Sequence, residues 1–268
     1  MKVEFYKTFQ IKVMNKTINI FLSVTMFFLI VGCGGDEPTS GKGNLEIVVQ
    51  GIYGSSPFVK GMTYDYFGKG NILFTKSEWF VSSLGLIGTH HNHTIKDVDY
   101  WSLSDHHTSI EKAQEGMLIS YLDIPTGTYT GFQFDLGLNP TLNKTVPANY
   151  SPVHPMGEGS RYWAAWNSYI FSKTEGSYND GSKSYNFTYH SGFDDSMKHL
   201  EWTKNIVIAS GQTTRLILQI DHQALFGEDI DGMDIASNPQ IHNKSTVLDA
   251  FMNRFKASIQ LIYNVQFY

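Results

Sequence analysis

The chain has 268 residues, 41% hydrophobic, 17% charged and 14% aromatic, with 24 Gly, 10 His, one Cys and a formal net charge of −5. These values exclude a disordered or fibrous chain, a multi-cysteine metal site, an intrachain disulfide framework and a general nucleic-acid binder. Few charges and many aromatics suit short strands better than long helices.

Residues 1–16 carry Lys2, Lys7, Lys12 and Lys16 against Glu4. An apolar run from Ile18 to Val31 follows, too short for a comfortable membrane span, and then Gly32-Cys33. Positive, apolar and small-residue segments in that order make a secretory signal. Cysteine directly after the small residue resembles a bacterial lipoprotein signal, in which it becomes the lipid-bearing first residue. The expected organisation is a signal peptide over 1–32, a lipidated flexible tether over 33–43 and one domain over 44–268, with Met14 an alternative start. The tether resembles the acidic spacers of Bacteroidota lipoproteins. Cys33 would then hold the domain on a membrane of the cell envelope, as an outer-membrane lipoprotein facing the periplasm or the surface. Loss of residues 1–32 removes four Lys and one Glu, leaving a more acidic domain.

After the tether, short apolar or alternating runs predict strands at Leu45–Gln50, Asn71–Phe74, Trp79–Leu86, Val98–Leu103 and Met117–Leu122. More follow at Tyr129–Leu136, Trp163–Phe171, Tyr185–His190, Lys204–Ala209 and Thr213–Ile220. His222–Phe226 suggests one helical turn. Val247, Leu248, Phe251, Met252 and Phe255 fall at helical spacing behind Ser245, a plausible N-cap. Ala257–Phe267 either closes a sheet or extends that helix. The predicted fold is mainly β, an antiparallel β-sandwich with a short C-terminal helical segment.

Histidine carries the chemistry, because imidazole suits Cu, Zn and Ni. His91 and His93 share one side of an extended segment and are metal candidates, against a plain inter-strand loop. His106 and His107 beside Asp105 read as a surface loop. Asp229-Ile230-Asp231-Gly232-Met233-Asp234 resembles half a calcium loop without its closing Glu, and a plain acidic turn is favoured. No nucleophile elbow, Walker loop, His-Glu-x-x-His or Rossmann fingerprint occurs, so a non-enzymatic protein is expected. The stretch Arg161–Gly176 is the densest in aromatics. As a strand it would send Trp163 to one face and Trp166 to the other.

Several segments in order resemble one family. They are Glu78–Leu86, Pro125–Leu138 with Asn143 after it, Tyr162-Trp163 through Asn167–Phe171 to Glu175-Gly176, Tyr189-His190-Ser191-Gly192, and Leu218–Asp221. Together, over about Leu45 to Ile262, they resemble the MbnP-like copper-binding proteins of the bacterial envelope. The Gly before that family's Tyr is missing at Ser168-Tyr169, and Leu45–Tyr53 lacks the histidine the family often carries there. The resemblance implies a β-sandwich that binds copper outside the cytoplasm. It implies His190 as a ligand and Trp163 as a tryptophan oxidised to kynurenine by a dihaem peroxidase-like partner. A second ligand falls to His91, His93, His154 or His242.

The expected function is a lipid-anchored copper protein for uptake, buffering or delivery. The alternative is an envelope binding module whose aromatic pocket near Trp163 and Trp166 takes a glycan, peptide or protein.

Overall fold

The computed structural model describes residues 41–227 and 233–267. Cys33, the signal, the tether up to Ser40, and Asp229, Asp231 and Gly232 of the acidic turn lie outside those residues. Among the described residues the fold is two large sheets packed face to face, with a two-stranded ribbon beside them.

The first sheet is built on β1 (Lys42–Tyr53), which starts inside the expected tether. Its period-two pattern turns Leu45, Ile47 and Val49 inward, all fully buried. A Cβ on Gly43 would lie 2.4 Å from the Ala209 carbonyl, so only glycine lets the chain pass there. β1 pairs with β2 (Ser56–Pro57) and β6 (Met117–Pro125) in antiparallel register. Its other edge takes β13 (Thr213–Asp221) in parallel, and β15 (Ile259–Phe267) closes on β13. The C-terminal segment therefore closes a sheet and does not extend the helix.

The second sheet centres on β4 (Asn71–Ile87), which joins the two strands expected at Asn71–Phe74 and Trp79–Leu86. Against it lie β3 (Thr63–Asp65), β5 (His93–Ser102), β7 (Gly127–Leu136) and β10 (Ser172–Asn179). β12 (Lys198–Ile208) extends it past β7, and β11 (Ser184–Ser191) extends it past β10. The two-residue β14 (Gln240–Ile241) adds to β11 in parallel. The sandwich is thus mixed, with parallel pairings at β1–β13 and β11–β14.

Between the sheets, Phe74, Trp79, Phe132, Phe134, Phe187 and Tyr189 meet Leu216, Leu218 and the apolar face of α4 (Thr246–Ser258). That helix buries Leu248, Phe251, Met252 and Phe255, and the Ser245 hydroxyl accepts the Leu248 N–H as predicted for its cap, worth about 1 kcal/mol. His222–Phe226 forms a turn. Short helices α1 (Leu103–His106), α2 (Ile110–Glu115) and α3 (Pro140–Asn143) start at side-chain caps from Ser102, Ser109 and Asn139.

Two buried histidines belong to this frame. His222 bonds Ser77 Oγ at 2.8 Å through Nε2 and stacks on Phe58, centroids 3.6 Å apart. His107, expected on a surface loop, is fully buried. The α1 turn ends at His107 and swings its ring onto β1, where Nε2 accepts the Gly51 N–H at 3.0 Å.

Candidate metal centre

Along β11, Phe187, Tyr189 and Ser191 face the core, so Thr188 and His190 face outward. Antiparallel register sets Thr188 opposite Glu175 and His190 opposite Lys173 on β10. The same rows cross β4 at Lys76 and Glu78. The result is a polar ladder on an outer face. His190 Nε2 lies 2.8 Å from Glu175 Oε1, and Lys76 Nζ lies 3.6 Å from the same oxygen. Lys173 pairs with Glu78 at 3.3 Å and donates to the Ser160 carbonyl at 3.0 Å.

The residue after β14 supplies the second imidazole. Thr188 is level with Gln240 and Tyr189 with Ile241, so one more step puts His242 beside His190. Adjacent strands run about 4.8 Å apart. The two rings accordingly stack 4.9 Å apart at 19°. His242 Nε2 is 2.8 Å from Thr188 Oγ1. Burial and the neighbouring His190 push the His242 pKa down, favouring a neutral ring. The hydrogen bond from His190, helped by Lys76, holds Glu175 below the usual carboxylate range.

The aromatic wall comes from a segment expected to be one strand. Trp163–Phe171 instead breaks into β8 (Tyr162–Trp163), a tight turn Ala164–Trp166, and β9 (Ser168–Tyr169). Asn167 adopts the left-handed conformation (φ 50°), which asparagine tolerates, and its Oδ1 takes the Tyr162 hydroxyl. The reversal brings Trp163 and Trp166 onto each other instead of onto opposite faces, centroids 4.3 Å apart. Trp163 then meets His242 edge-on at 5.2 Å and His190 at 6.1 Å. Buried Asn143 pins this ribbon. Its Oδ1 accepts the Tyr169 N–H at 3.0 Å, and its amide donates to Asp194. The hydroxyl of Ser168 lies within hydrogen-bond reach of Asn143 Oδ1 and the Gly192 carbonyl.

The structure therefore brings His190, Trp163 and His242 together. It does not bring His91 or His93 there. Both lie at the β4–β5 turn, where His93 is level with Leu86, whereas the His190 row crosses β4 at Glu78. That is roughly 25 Å along the strand. His154 accepts the Met156 N–H and stacks on Tyr150, a capping role. Asp234 Oδ1 accepts the Ser237 N–H, as in a plain turn. Among the described residues, no group of three His, Cys, Asp or Glu side chains is placed to hold a metal ion. His190 Nδ1, however, is buried and has no hydrogen-bond partner there. Sequence reading missed Glu175 and Thr188 as partners of the two rings. Their signal was the period-two spacing from Lys173 and His190, legible only once the register is known.

The MbnP family profile matches residues 42–245. Among solved structures, MbnP from Methylosinus trichosporium aligns at a TM-score of 0.46 and 11% identity, over 76% of this chain and 81% of that one. No curated protein matches the chain. With more than half of its length matched by the family profile, the chain belongs to the MbnP family.

Proposed function

We propose that this protein binds copper outside the cytoplasm through His190 and His242, held to the envelope by lipid on Cys33. The observation that carries the reading is the buried, unpartnered His190 Nδ1 beside a second imidazole. A buried acceptor without a partner costs about 1–3 kcal/mol, which a ligated ion would recover. Imidazole donors suit copper, and the mature chain has no thiol once Cys33 is lipidated. Copper would supply a cationic centre that binds and releases with the state of its few ligands. The protein's part is to hold two imidazoles next to each other, shield them with Trp163, and balance charge with Glu175. Oxidative conversion of Trp163 by a dihaem peroxidase-like partner would add a donor from the wall of the site. The role would be copper uptake, buffering or delivery, without catalysis.

The test is metal analysis after loading with Cu(I) or Cu(II) and dialysis against a chelator. Wild type should retain copper, and His190→Ala and His242→Ala should lose it. Retention unchanged in His190→Ala removes the proposed site. Intact mass after co-expression with the modifying enzyme reads whether Trp163 changes.

A second reading rests on a cleft of about 420 Å³ lined by Trp166, Phe193, Asn143, Asp194 and Lys244. It would take a glycan, peptide or protein partner, and quenching of tryptophan fluorescence by such a ligand in metal-free protein tests it.

A further inference from the structure

We propose that Glu175 is the positioning residue of the copper centre. It holds the His190 ring in the tautomer with hydrogen on Nε2, so that Nδ1 is the atom offered to the ion. The inference rests on the copper reading above and names which atom binds and what selects it.

A neutral imidazole has one N–H donor and one lone-pair acceptor. An ionised carboxylate can only accept. The contact of 2.8 Å between Nε2 and Glu175 Oε1 therefore places the hydrogen on Nε2. The lone pair is left on Nδ1, the atom that is buried and unpartnered. Metal-ligating histidines commonly donate their other N–H to a carboxylate, which fixes the tautomer and raises ligand basicity. Here that carboxylate comes from the neighbouring strand and is itself restrained by Lys76, 3.6 Å from the same oxygen. Lys173 does not compete for it, because its ammonium is engaged by Glu78 and the Ser160 carbonyl.

The partner of the other ring is a weaker selector. Thr188 Oγ1, 2.8 Å from His242 Nε2, can donate as well as accept. His242 is thus free to change tautomer where His190 is not. The two ligands are unequal, with His190 the fixed one and His242 the adaptable one.

Nitrogen NMR of the histidine rings in the metal-free full chain reads the tautomers directly. His190 should carry its hydrogen on Nε2 in wild type and lose that restriction in Glu175→Gln, whose amide can donate as well as accept. Cu(I) affinity, measured by competition with a chelator, should fall about 10–100-fold in Glu175→Gln and less in Thr188→Val. Hydrogen on Nδ1 of His190 in wild type overturns the proposal without any variant. So does a Glu175→Gln protein with unchanged tautomer and affinity. A wild-type protein that takes up no copper sinks the underlying reading, while the tautomer measurement still decides for or against the Glu175 lock.

Discussion

Trp163 and Trp166 stack face to face, 23° from parallel, although a continuous strand would send them to opposite faces. Gly192 makes room for this pair. A Cβ there would lie 2.8 Å from Trp166 Cζ3 and 2.6 Å from the Tyr169 carbonyl. Gly192→Ala should push Trp166 off Trp163 and cost about 1–3 kcal/mol. Urea unfolding and near-ultraviolet circular dichroism check it. A wild-type midpoint and spectrum would mean the stack does not depend on that glycine.

The segment carrying Trp163 is fastened to the sheet by Lys173, whose side chain is 8% exposed against 13% for Glu78. Removing one partner of such a pair strands the other charge. Lys173→Met should destabilise by about 3–5 kcal/mol, and adding Glu78→Leu should restore much of it. The double variant also lacks the ammonium that grips the Ser160 carbonyl, so its Trp163 signal should stay perturbed while its stability recovers. If the single and double variants unfold alike, the pair is not acting as a buried ion pair.

Much of this frame was legible in the sequence, and the losses have physical causes. Thr213–Ile220 alternates cleanly because one face of β13 meets the core, and Ser245 announces α4 by its cap. The Trp163 reversal was not legible, because it depends on one left-handed residue, Asn167, inside a run of strand-forming aromatics. His242 was one of four open choices, since a two-residue strand has too little pattern to announce a parallel pairing. His107 looked like loop because nothing local reveals that its ring turns back onto β1.

Acid should loosen the sandwich through its two buried histidines. Burial lowers the pKa of His107 from 6.5 to about 4, and that of His222 to about 3. His106 beside His107, and His107 near His222, push in the same direction. Above pH 6.5 both the folded and unfolded chains keep these rings neutral. As pH falls toward 4, the unfolded chain takes up protons that the folded chain refuses, so stability falls with pH. The loss levels off only below about 3, and amounts to on the order of 3–5 kcal/mol per ring. Urea midpoints between pH 7 and 4 should show the decline, shallower in His107→Gln than in wild type. A flat profile would mean that the rings are charged, or accessible, in the folded chain.

Under the proposed copper reading, the two histidine pairs beside the second sheet make opposite forecasts. His91 and His93 sit at the β4–β5 turn, and each stands apart from the row holding His190. His190 and His242 are brought ring to ring by the parallel step of β14 on β11. In a chelator dialysis series, the double variant His91→Ala/His93→Ala should retain copper like wild type. His242→Ala should lose it, because a single imidazole without a neighbouring donor holds an ion weakly. Shortening the β14 contact tests the same point without touching a ligand. Ile241, buried on the inner side of that strand, anchors His242 against β11. Ile241→Ala should weaken copper retention by letting His242 drift from His190, with a core cost of about 2–5 kcal/mol. Loss of copper in the His91/His93 variant with retention in His242→Ala would move the centre to the β4–β5 turn.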